Sequence, residues 1–312
     1  MITFFRPQLT HPIETMAYFL SMAGHRVRVA TNFGISDGEH PWSLKRLERF
    51  GEIDILPYDG EARVSEVLIF SLVQHGQIAH ELRRWRRMAK KTFCLASREG
   101  HSFSLRERAR QVVRSFPHYL GARQIAPLPH VHPQFIANTE LRDLLQRPFD
   151  QHAKRKYKVC FLGSLTPPER ATRLRQIESV VTSLGAKSYW HVYGETGVRG
   201  IDPASYLEVL TDSEFTISPP GWGGGYTHRT YEAVLRGSIP IIEDPERYDI
   251  PFKDGINCLI ANPTQWDEAT SRAIALPAEQ LFALQIGVAD IRKLLELTVQ
   301  VESCQRLINK GS

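Results

Sequence analysis

The stretch FTISPPGWGGGYTHRTYEAVLRGSIPII, residues 215–242, predicts a strand, a glycine-rich loop, a helix and a further strand in succession. Glycines at 221, 223, 224 and 225 allow the backbone to approach a ligand closely, and the helix that follows offers unpaired N–H groups to an anion. No Gly-Lys-Ser/Thr follows the loop, so it is not a P-loop, and its spacing fits a dinucleotide motif poorly. This order of elements predicts an α/β fold with a phosphate site at the loop.

Arg229 and Glu232 lie three residues apart near the start of the predicted helix, so their side chains share one face. The planar guanidinium of Arg229 suits two phosphate oxygens, and the carboxylate of Glu232 can accept hydrogen bonds from both hydroxyls of a ribose. Together they describe a site for a nucleoside diphosphate. An ion pair within the helix, above a structural glycine turn, explains the same spacing, and the sequence leaves both interpretations open.

The rest of the second half alternates between strand and helix patterns. A buried-strand run at residues 158–162 leads through Gly163-Ser164 to Thr166-Pro-Pro-Glu, which is typical of a helix start. The polar segment 146–158 has the composition of a linker. Periodicity predicts further strands at 188–192, 214–218 and 238–242, helices at 206–211 and 227–236, and mostly helix over 277–309.

The first half opens with a strand at 2–5, a helix at 13–23 and a strand at 26–30, which is a βαβ unit. Such a unit implies a parallel sheet whose functional loops follow the carboxyl ends of the strands. Short strands are also predicted at 53–56 and 92–96, and the segment 65–87 between them is expected to supply a helix.

Length and composition limit the classes of protein to which the chain can belong. The 312 residues suit two domains, which we place at 1–150 and 151–312. A composition of 42% hydrophobic and 23% charged residues excludes a disordered protein. The longest apolar run, residues 67–73, is too short to span a membrane, and the start lacks a signal-peptide pattern, so a cytoplasmic location is expected. The four cysteines are widely spaced and support neither a disulfide framework nor a zinc module.

Positive charge is concentrated in the first half. Residues 1–150 contain 21 basic and 15 acidic side chains, whereas the remainder contains 18 and 19. This asymmetry indicates an anionic partner for the first half, although a charged run is also typical of a solvated helix face. The candidate anion-binding or acceptor-binding residues are Arg83, Arg84, Arg86 and Arg87, followed by Lys90 and Lys91.

The segment 215–243 resembles the donor-site signature of exostosin-like glycosyltransferases. In that signature a strand and a Pro/Gly loop lead to Arg, Glu-Ala, Gly and Ile-Pro-Val-Ile, and this chain has Arg229, Glu232-Ala233, Gly237 and Ile239-Pro-Ile-Ile. The same arrangement is similar to many nucleotide-sugar transferases of the GT-B fold. The loop at 222–226 is longer and richer in glycine than the usual pattern.

The resemblance implies a GT-B architecture, in which two Rossmann-like domains face each other across a cleft and a C-terminal helix packs back on the first domain. It implies a UDP-sugar or GDP-sugar as co-substrate and no metal or other cofactor. It favours inversion at the anomeric carbon, and the residues leave retention open. The strand and helix around Gly163 resemble the start of a GT-B donor domain. The implied donor-binding residues are Gly163, Ser164, Arg170, Gly221, Gly223, Gly224, Thr227, His228, Arg229 and Glu232.

The same resemblance places acceptor-side residues after the first strand, where Pro7-Gln-Leu-Thr-His-Pro lies. His11 is then the candidate catalytic base, because a neutral imidazole can take a proton from an acceptor hydroxyl near neutral pH. A role for His11 as a helix cap is the alternative. Three carboxylates on the same side of the sheet are rival bases, namely Glu14, Asp37 and Glu39.

The sequence does not decide which class of molecule is the acceptor. A glycan precursor assembled at the cytoplasmic membrane is the first expectation, with the basic residues attracting anionic lipid in a peripheral contact. Duplex DNA, modified as by phage-type glycosyltransferases, is the alternative, with the same residues contacting phosphates. A non-catalytic protein that binds a nucleotide sugar or nucleic acid is a third interpretation.

Overall fold

A computed structural model describes residues 1–5, 11–31, 50, 52–71, 76–95, 123–125, 131–165, 168–193, 200–221 and 227–309. The chain divides into two compact units, one formed by Met1–Ala137 with Thr298–Ser312 and the other by Asn138–Leu297. Residues 138–150, placed in the first domain by the sequence analysis, thus belong to the second unit, and the last helix belongs to the first.

The first unit contains a parallel sheet whose six described strands have the order β3-β2-β1-β4-β5-β6. Strands β1 and β2 lie next to each other in this sheet and are buried along their whole length, as the βαβ prediction requires. The elements are β1 (Ile2–Phe5), α1 (His11–Met22), β2 (Val27–Ala30), β3 (Ile53–Leu56), β4 (Ser65–Ser71), α2 (Gly76–Arg87), β5 (Ala89–Leu95), β6 (Arg123–Ile125) and α3 (Gln134–Ala137).

The expected helix over 65–87 is wrong for its first part, because residues 65–71 form strand β4. This strand lies between β1 and β5, and Val67, Leu68, Ile69 and Phe70 are buried. A strand covered on both faces has a continuous apolar run, which periodicity cannot distinguish from a buried helix. Only residues 76–87 are helical.

The second unit contains another parallel sheet, with its described strands in the order β11-β10-β9-β7-β8. Its predicted strands are confirmed to within one or two residues. The elements are α4 (Thr139–Gln146), β7 (Tyr157–Ser164), α5 (Pro168–Ser183), β8 (Ser188–Tyr193), α6 (Pro203–Thr211), β9 (Ser213–Ser218), α7 (His228–Leu235), β10 (Ile239–Ile242), β11 (Leu259–Ile260), α8 (Trp266–Ala275) and α9 (Ala278–Arg292), with 3-10 turns at Pro245–Arg247 and Lys293–Leu295. The last helix, α10 (Leu297–Asn309), lies in the first unit apart from its first residue.

Local sequence explains how these helices begin and end. Helix α6 begins at Pro203 after Asp202, whose carboxylate accepts a hydrogen bond from the Ser205 amide at 2.9 Å. Helix α7 ends before Gly237, which has a φ of +76° that suits glycine. A Cβ at Gly237 would also overlap the ring of Phe149, so the chain before β7 packs closely on the end of α7.

The segment expected to be a linker, 146–158, packs within the second unit through arginine side chains. Arg236 donates to the backbone oxygens of Leu144 at 2.6 Å and Arg147 at 3.0 Å, near the end of α4. Arg292 donates to the Gln146 oxygen at 2.6 Å. Guanidinium groups at helix ends satisfy carbonyls that have no partner within the helix, which fixes this segment on the unit.

In the described part of the chain, no single helix has both the length and the apolar character needed to cross a membrane. One pair of helical segments, Trp266–Ala275 with Ala278–Leu295, meets that test together by length and composition only, and it is bent by 110°.

Candidate functional site

The site is built where β7 and β9, adjacent strands of the second sheet, reach their carboxyl ends. Arg229 lies on the first turn of α7, yet its side chain is only 6% exposed. Its Nη1 donates to the Ile217 carbonyl at 3.3 Å, and its Cζ lies 4.6 Å from the centroid of the Phe161 ring. The guanidinium therefore lies over the ends of both strands, held by a carbonyl and an aromatic face.

Gly163 makes room for this guanidinium. A Cβ at position 163 would overlap Nη2 of Arg229 and would lie 3.2 Å from the Phe161 ring. The sequence analysis placed Gly163 near a diphosphate, and the structure adds that glycine is required there for the arginine to occupy its position. No spacing rule could find this contact, because 66 residues separate the two positions along the chain.

Two buried polar atoms at this point have no hydrogen-bond partner in the described structure, namely Nε of Arg229 and Oγ of Ser218. Ser218 is the last residue of β9 and is fully buried. Leaving a buried donor unsatisfied costs roughly 1–3 kcal/mol, so such groups require an explanation. A bound anion that accepts from both donors provides one.

Arg170 adds a second buried cation from α5. Its guanidinium donates to the carbonyl of Pro220 at 2.8 Å and to the carbonyl of Ser164 at 3.2 Å. Burial, reinforced by the positive charge of Arg229, lowers the pKa of Arg170 to about 10. Neither arginine forms an ion pair with a carboxylate in the part of the chain that the structure describes, so the local positive charge is not neutralised there.

The neighbouring Arg173 behaves differently. It forms a two-point ion pair with Glu243, with nitrogen–oxygen distances of 2.5 and 3.2 Å, and Glu243 also accepts from the indole of Trp266 at 2.6 Å. This cluster joins α5 and α8 to the end of β10. Arg173 is thus neutralised by a local carboxylate, in contrast to Arg170 and Arg229.

Glu232 is almost fully buried on α7, and its Oε2 accepts a hydrogen bond from the Tyr206 hydroxyl of α6 at 2.5 Å. Burial, and next the negative charge of Glu232, raise the pKa of Tyr206 well above its usual value, so the phenol keeps its proton and donates it. The ion pair with Arg229 that the spacing also allowed is not among the ion pairs of the described residues. Tyr206 was missed by the sequence analysis, because nothing in its local sequence indicates a partner on the next helix.

The amino end of α7 lacks a side-chain cap from Thr227. Thr227 precedes the helix in an extended conformation, with φ of −118° and ψ of 137°, and its side chain makes no capping hydrogen bond. Thr230 is buried and donates to the hydroxyl of Tyr248 at 3.0 Å, which fixes the first turn. Helix amides at this end offer donors to an anion beside Arg229.

Some of the remaining predicted donor-binding residues lie near Arg229, and others lie outside the described part of the chain. Ser164 ends β7, Gly221 follows β9, and His228 begins α7, so all three lie at the carboxyl end of the second sheet with Arg229. Gly223 and Gly224 lie outside the described residues.

The candidate base His11 is the first residue of α1, which follows β1, although its side chain lies outside the described part of the structure. Glu14 in the same turn is fully buried and accepts a hydrogen bond from Tyr18 at 2.9 Å. That contact gives Glu14 a packing role within α1. The rivals Asp37 and Glu39 lie outside the described residues.

The candidate anion-binding residues of the first unit lie at the amino ends of β4 and β5. Helix α2 returns from the carboxyl end of β4 to the amino end of β5, and its last turn holds Arg84, Arg86 and Arg87. Arg84 forms an ion pair with Glu81 at 2.5 Å, and Arg86 lies over the Phe70 ring at 5.8 Å. Arg83, directly before Arg84, is exposed, and Lys90 and Lys91 are the second and third residues of β5.

No protein-family model matches the sequence, and no curated protein sequence matches it. Solved structures match over nearly the whole chain. One is WaaG, a glycosyltransferase involved in lipopolysaccharide biosynthesis, with 13% identity and a TM-score of 0.53 over 99% of both chains. A glycosyltransferase from Rickettsia africae ESF-5 has 11% identity and a TM-score of 0.55 over 100% of this chain and 99% of its own. The DNA-modifying enzyme β-glucosyltransferase has 11% identity and a TM-score of 0.52 over 98% of both chains.

The chain therefore has the GT-B fold that the sequence analysis expected, with an α/β unit built on a parallel sheet in each half. At identities this low the similarity concerns the fold, and the activity has to be argued from the site.

Proposed function

We propose that the chain is a glycosyltransferase that moves a sugar from a nucleoside-diphosphate sugar to an acceptor hydroxyl. The observation that carries the proposal is the pair of buried guanidiniums, Arg170 and Arg229, without a carboxylate partner among the described residues. They lie at the carboxyl ends of parallel strands, where α/β sheets bind their ligands. The unsatisfied Nε of Arg229 and hydroxyl of Ser218 add two donors for a diphosphate.

The reaction is a displacement at the anomeric carbon. The acceptor oxygen forms a bond to that carbon while the bond to the diphosphate oxygen breaks, and the leaving diphosphate gains the electron pair. Arg229, Arg170 and the amides at the start of α7 stabilise that negative charge, and His11 takes the acceptor proton. A single displacement of this kind inverts the anomeric carbon and uses no metal ion, so we expect activity to survive EDTA.

The donor is a UDP-sugar or GDP-sugar, and the first candidate acceptor is a glycan precursor in the cytoplasm. The exostosin-like signature around Arg229 and Glu232 supports this choice, because the enzymes that it resembles build glycans. WaaG, which has the same fold, is a glycosyltransferase involved in lipopolysaccharide biosynthesis.

Duplex DNA is the second candidate acceptor. The basic run around Arg83 favours it, and a DNA-modifying glucosyltransferase shares the fold. These cations, however, lie at the amino ends of β4 and β5, whereas His11 follows the carboxyl end of β1. The distance between the two ends of the sheet makes the glycan the better-supported acceptor.

The proposal is tested by titrating UDP, GDP and their sugars into the parent and into Arg229→Ala, with Arg229→Lys as the conservative variant. Hydrogen bonds to charged groups contribute about 1.5–3 kcal/mol, so Arg229→Ala should bind one nucleotide roughly 10- to 150-fold more weakly. Lysine should restore part of the loss, because an ammonium lacks the planar fork.

Arg175→Ala is the matched control, since Arg175 is exposed on α5 and bonds only within its own helix. Equal affinity of the parent and Arg229→Ala for every nucleotide would refute the donor site. Hydrolysis of the bound nucleotide sugar without acceptor would argue against a protein that binds without turnover.

A further inference from the structure

A basic surface lies at the amino-terminal ends of β4 and β5 in the first unit. Residues 80–91, at the end of α2 and the start of β5, contain six Lys or Arg and one Glu. We define the basic edge by five exposed residues of this region, namely Arg63, Val64, Arg83, Arg87 and Met88.

These residues lie at one end of the sheet. Strands β4 and β5 pair with Ser65 opposite Ala89, and the Ser65 amide donates to the Met88 carbonyl at 2.9 Å. The residues just before the two strands, Arg63 and Val64 before β4 and Arg87 and Met88 before β5, therefore lie at the same end of the sheet. Arg83 precedes Arg87 by four residues, so both lie on one face of α2.

The patch combines positive charge with exposed apolar side chains. Val64 is 66% exposed and Met88 is 37% exposed, which places both among the exposed large hydrophobic residues of the described chain. Apolar side chains beside cations suit a lipid surface, where the cations meet headgroups and the apolar groups enter the boundary with the acyl chains. Nucleic-acid phosphates attract the same cations but gain nothing from an exposed valine or methionine.

Among the described residues, ion pairs hold the cations that flank the patch, but not two of the cations within it, Arg63 and Arg87. Arg84 and Lys90, which flank it, form ion pairs with Glu81 and Glu66 at 2.5 and 2.7 Å. Within the described structure Arg63 and Arg87 form no ion pair. Favourable interaction with the α2 dipole explains a cation at position 87, but it cannot explain Arg63 or Val64, which lie outside the helix.

We propose that the basic edge binds the surface of an anionic phospholipid bilayer. The guanidiniums of Arg63, Arg83 and Arg87 contact acidic headgroups, and Val64 with Met88 enters the interface between headgroups and acyl chains. This inference stands independently of the donor site, because it uses no residue of the second unit.

The test is sedimentation of the full chain with vesicles of phosphatidylglycerol and phosphatidylcholine, compared with vesicles of phosphatidylcholine alone. A basic residue near an anionic surface raises partitioning roughly fivefold, so the variant R63Q/R83Q/R87Q should bind anionic vesicles about 100-fold more weakly. The apolar variant V64S/M88Q should also lose binding while keeping every charge. Neither variant should change nucleotide affinity.

The matched control is K154Q/R175Q/R306Q, which removes the same number of exposed positive charges elsewhere on the chain. It should bind vesicles like the parent. The proposal is overturned if the parent ignores anionic vesicles or if the control loses as much binding as R63Q/R83Q/R87Q. It is equally overturned if V64S/M88Q binds like the parent while duplex DNA competes for the surface, because that outcome assigns the basic edge to nucleic acid.

Discussion

Arg229 combines burial, positive charge and an unsatisfied Nε in one side chain. A guanidinium kept for structure is normally surrounded by acceptors, as Arg236 is by the carbonyls at the end of α4. Arg229 contacts one backbone carbonyl and one aromatic ring, and its positive charge repels that of Arg170. We therefore expect its presence to cost stability in the free protein, which is typical of a residue kept for a ligand.

Replacing Arg229 by methionine tests this directly, because methionine has a similar length and no charge. We expect Arg229→Met to leave the melting temperature of the free protein unchanged or higher, since the variant removes a buried, unpaired charge. Nucleotide binding should weaken by the same 10- to 150-fold as in Arg229→Ala. Thermal unfolding with and without UDP or GDP measures both effects. A lower melting temperature with unchanged nucleotide affinity would mean that the guanidinium serves the fold.

Gly163 provides the second prediction at the scale of single residues. In Gly163→Ala the new methyl group overlaps the Arg229 guanidinium, so we expect a loss of roughly 1–3 kcal/mol in the free energy of unfolding and weaker nucleotide binding. The double variant Gly163→Ala/Arg229→Met should regain the stability but not the binding. Urea unfolding and nucleotide titration measure the two properties. Gly200→Ala is the control, because a Cβ there would have no described atom within 4 Å apart from those of its chain neighbours. An equal loss in that variant would contradict the packing argument.

Helix α7 carries two side chains with different expected ligands, three residues apart. Arg229 points to the ends of β7 and β9, whereas Glu232 meets Tyr206 of α6. This separation supports an assignment of Arg229 to the diphosphate and of Glu232 to the ribose. In the proposed donor site, one helix would then contact both the diphosphate and the ribose.

Inorganic pyrophosphate separates the two roles of α7, because it contains the phosphates without the ribose. We expect Glu232→Gln to weaken UDP or GDP binding about tenfold while pyrophosphate binds as to the parent. Arg229→Ala should weaken both ligands. Competition of pyrophosphate against a labelled nucleotide gives the two affinities. Parallel losses for both ligands in Glu232→Gln would remove the ribose assignment and leave Glu232 as a partner of Tyr206.

Helix α1 begins at His11, directly after the segment that follows β1. We expect His11→Ala to lower turnover about 100- to 10,000-fold with little change in donor affinity, since a general base acts on the acceptor hydroxyl. Steady-state kinetics beside nucleotide titration check this expectation. Near-parent turnover would transfer the base role to Asp37 or Glu39, because the Glu14 carboxylate is buried against Tyr18.

The sequence predicts the elements of the second unit well because local signals agree with the fold. Prolines after a capping residue begin α6, and a glycine with positive φ follows α7. The sequence-based prediction is wrong over residues 65–71, because this strand is buried on both faces and its apolar and polar residues do not alternate. The close approach of Gly163 to Arg229 and the Tyr206–Glu232 hydrogen bond join distant parts of the chain, so no local pattern contains them.

At the scale of the whole molecule, positive charge is used in two ways. In the second unit, Arg170 and Arg229 are buried at the carboxyl ends of the strands, where desolvation strengthens their interaction with an anion. In the first unit, the basic edge is exposed at the amino ends of the strands, where solvent and salt screen it. The two sets therefore suit different partners, a small buried diphosphate and an extended anionic surface.

This division predicts the behaviour of the protein toward duplex DNA. The cations of the basic edge lie at the end of the first sheet away from His11, so the variant R63Q/R83Q/R87Q should transfer sugar to a glycan acceptor at the parent rate. The parent should bind duplex DNA only weakly at physiological salt, as measured by fluorescence anisotropy over a salt series. Each phosphate contact contributes about 0.9 to the slope of the logarithm of affinity against the logarithm of salt concentration.

Three results together would make DNA the acceptor. The parent would bind duplex DNA tightly, the slope would fall by about 0.9 for each arginine removed, and the variant would lose transfer. Weak binding with a slope that the variant leaves unchanged restricts the acceptor to molecules that do not use these cations, as expected for a glycan.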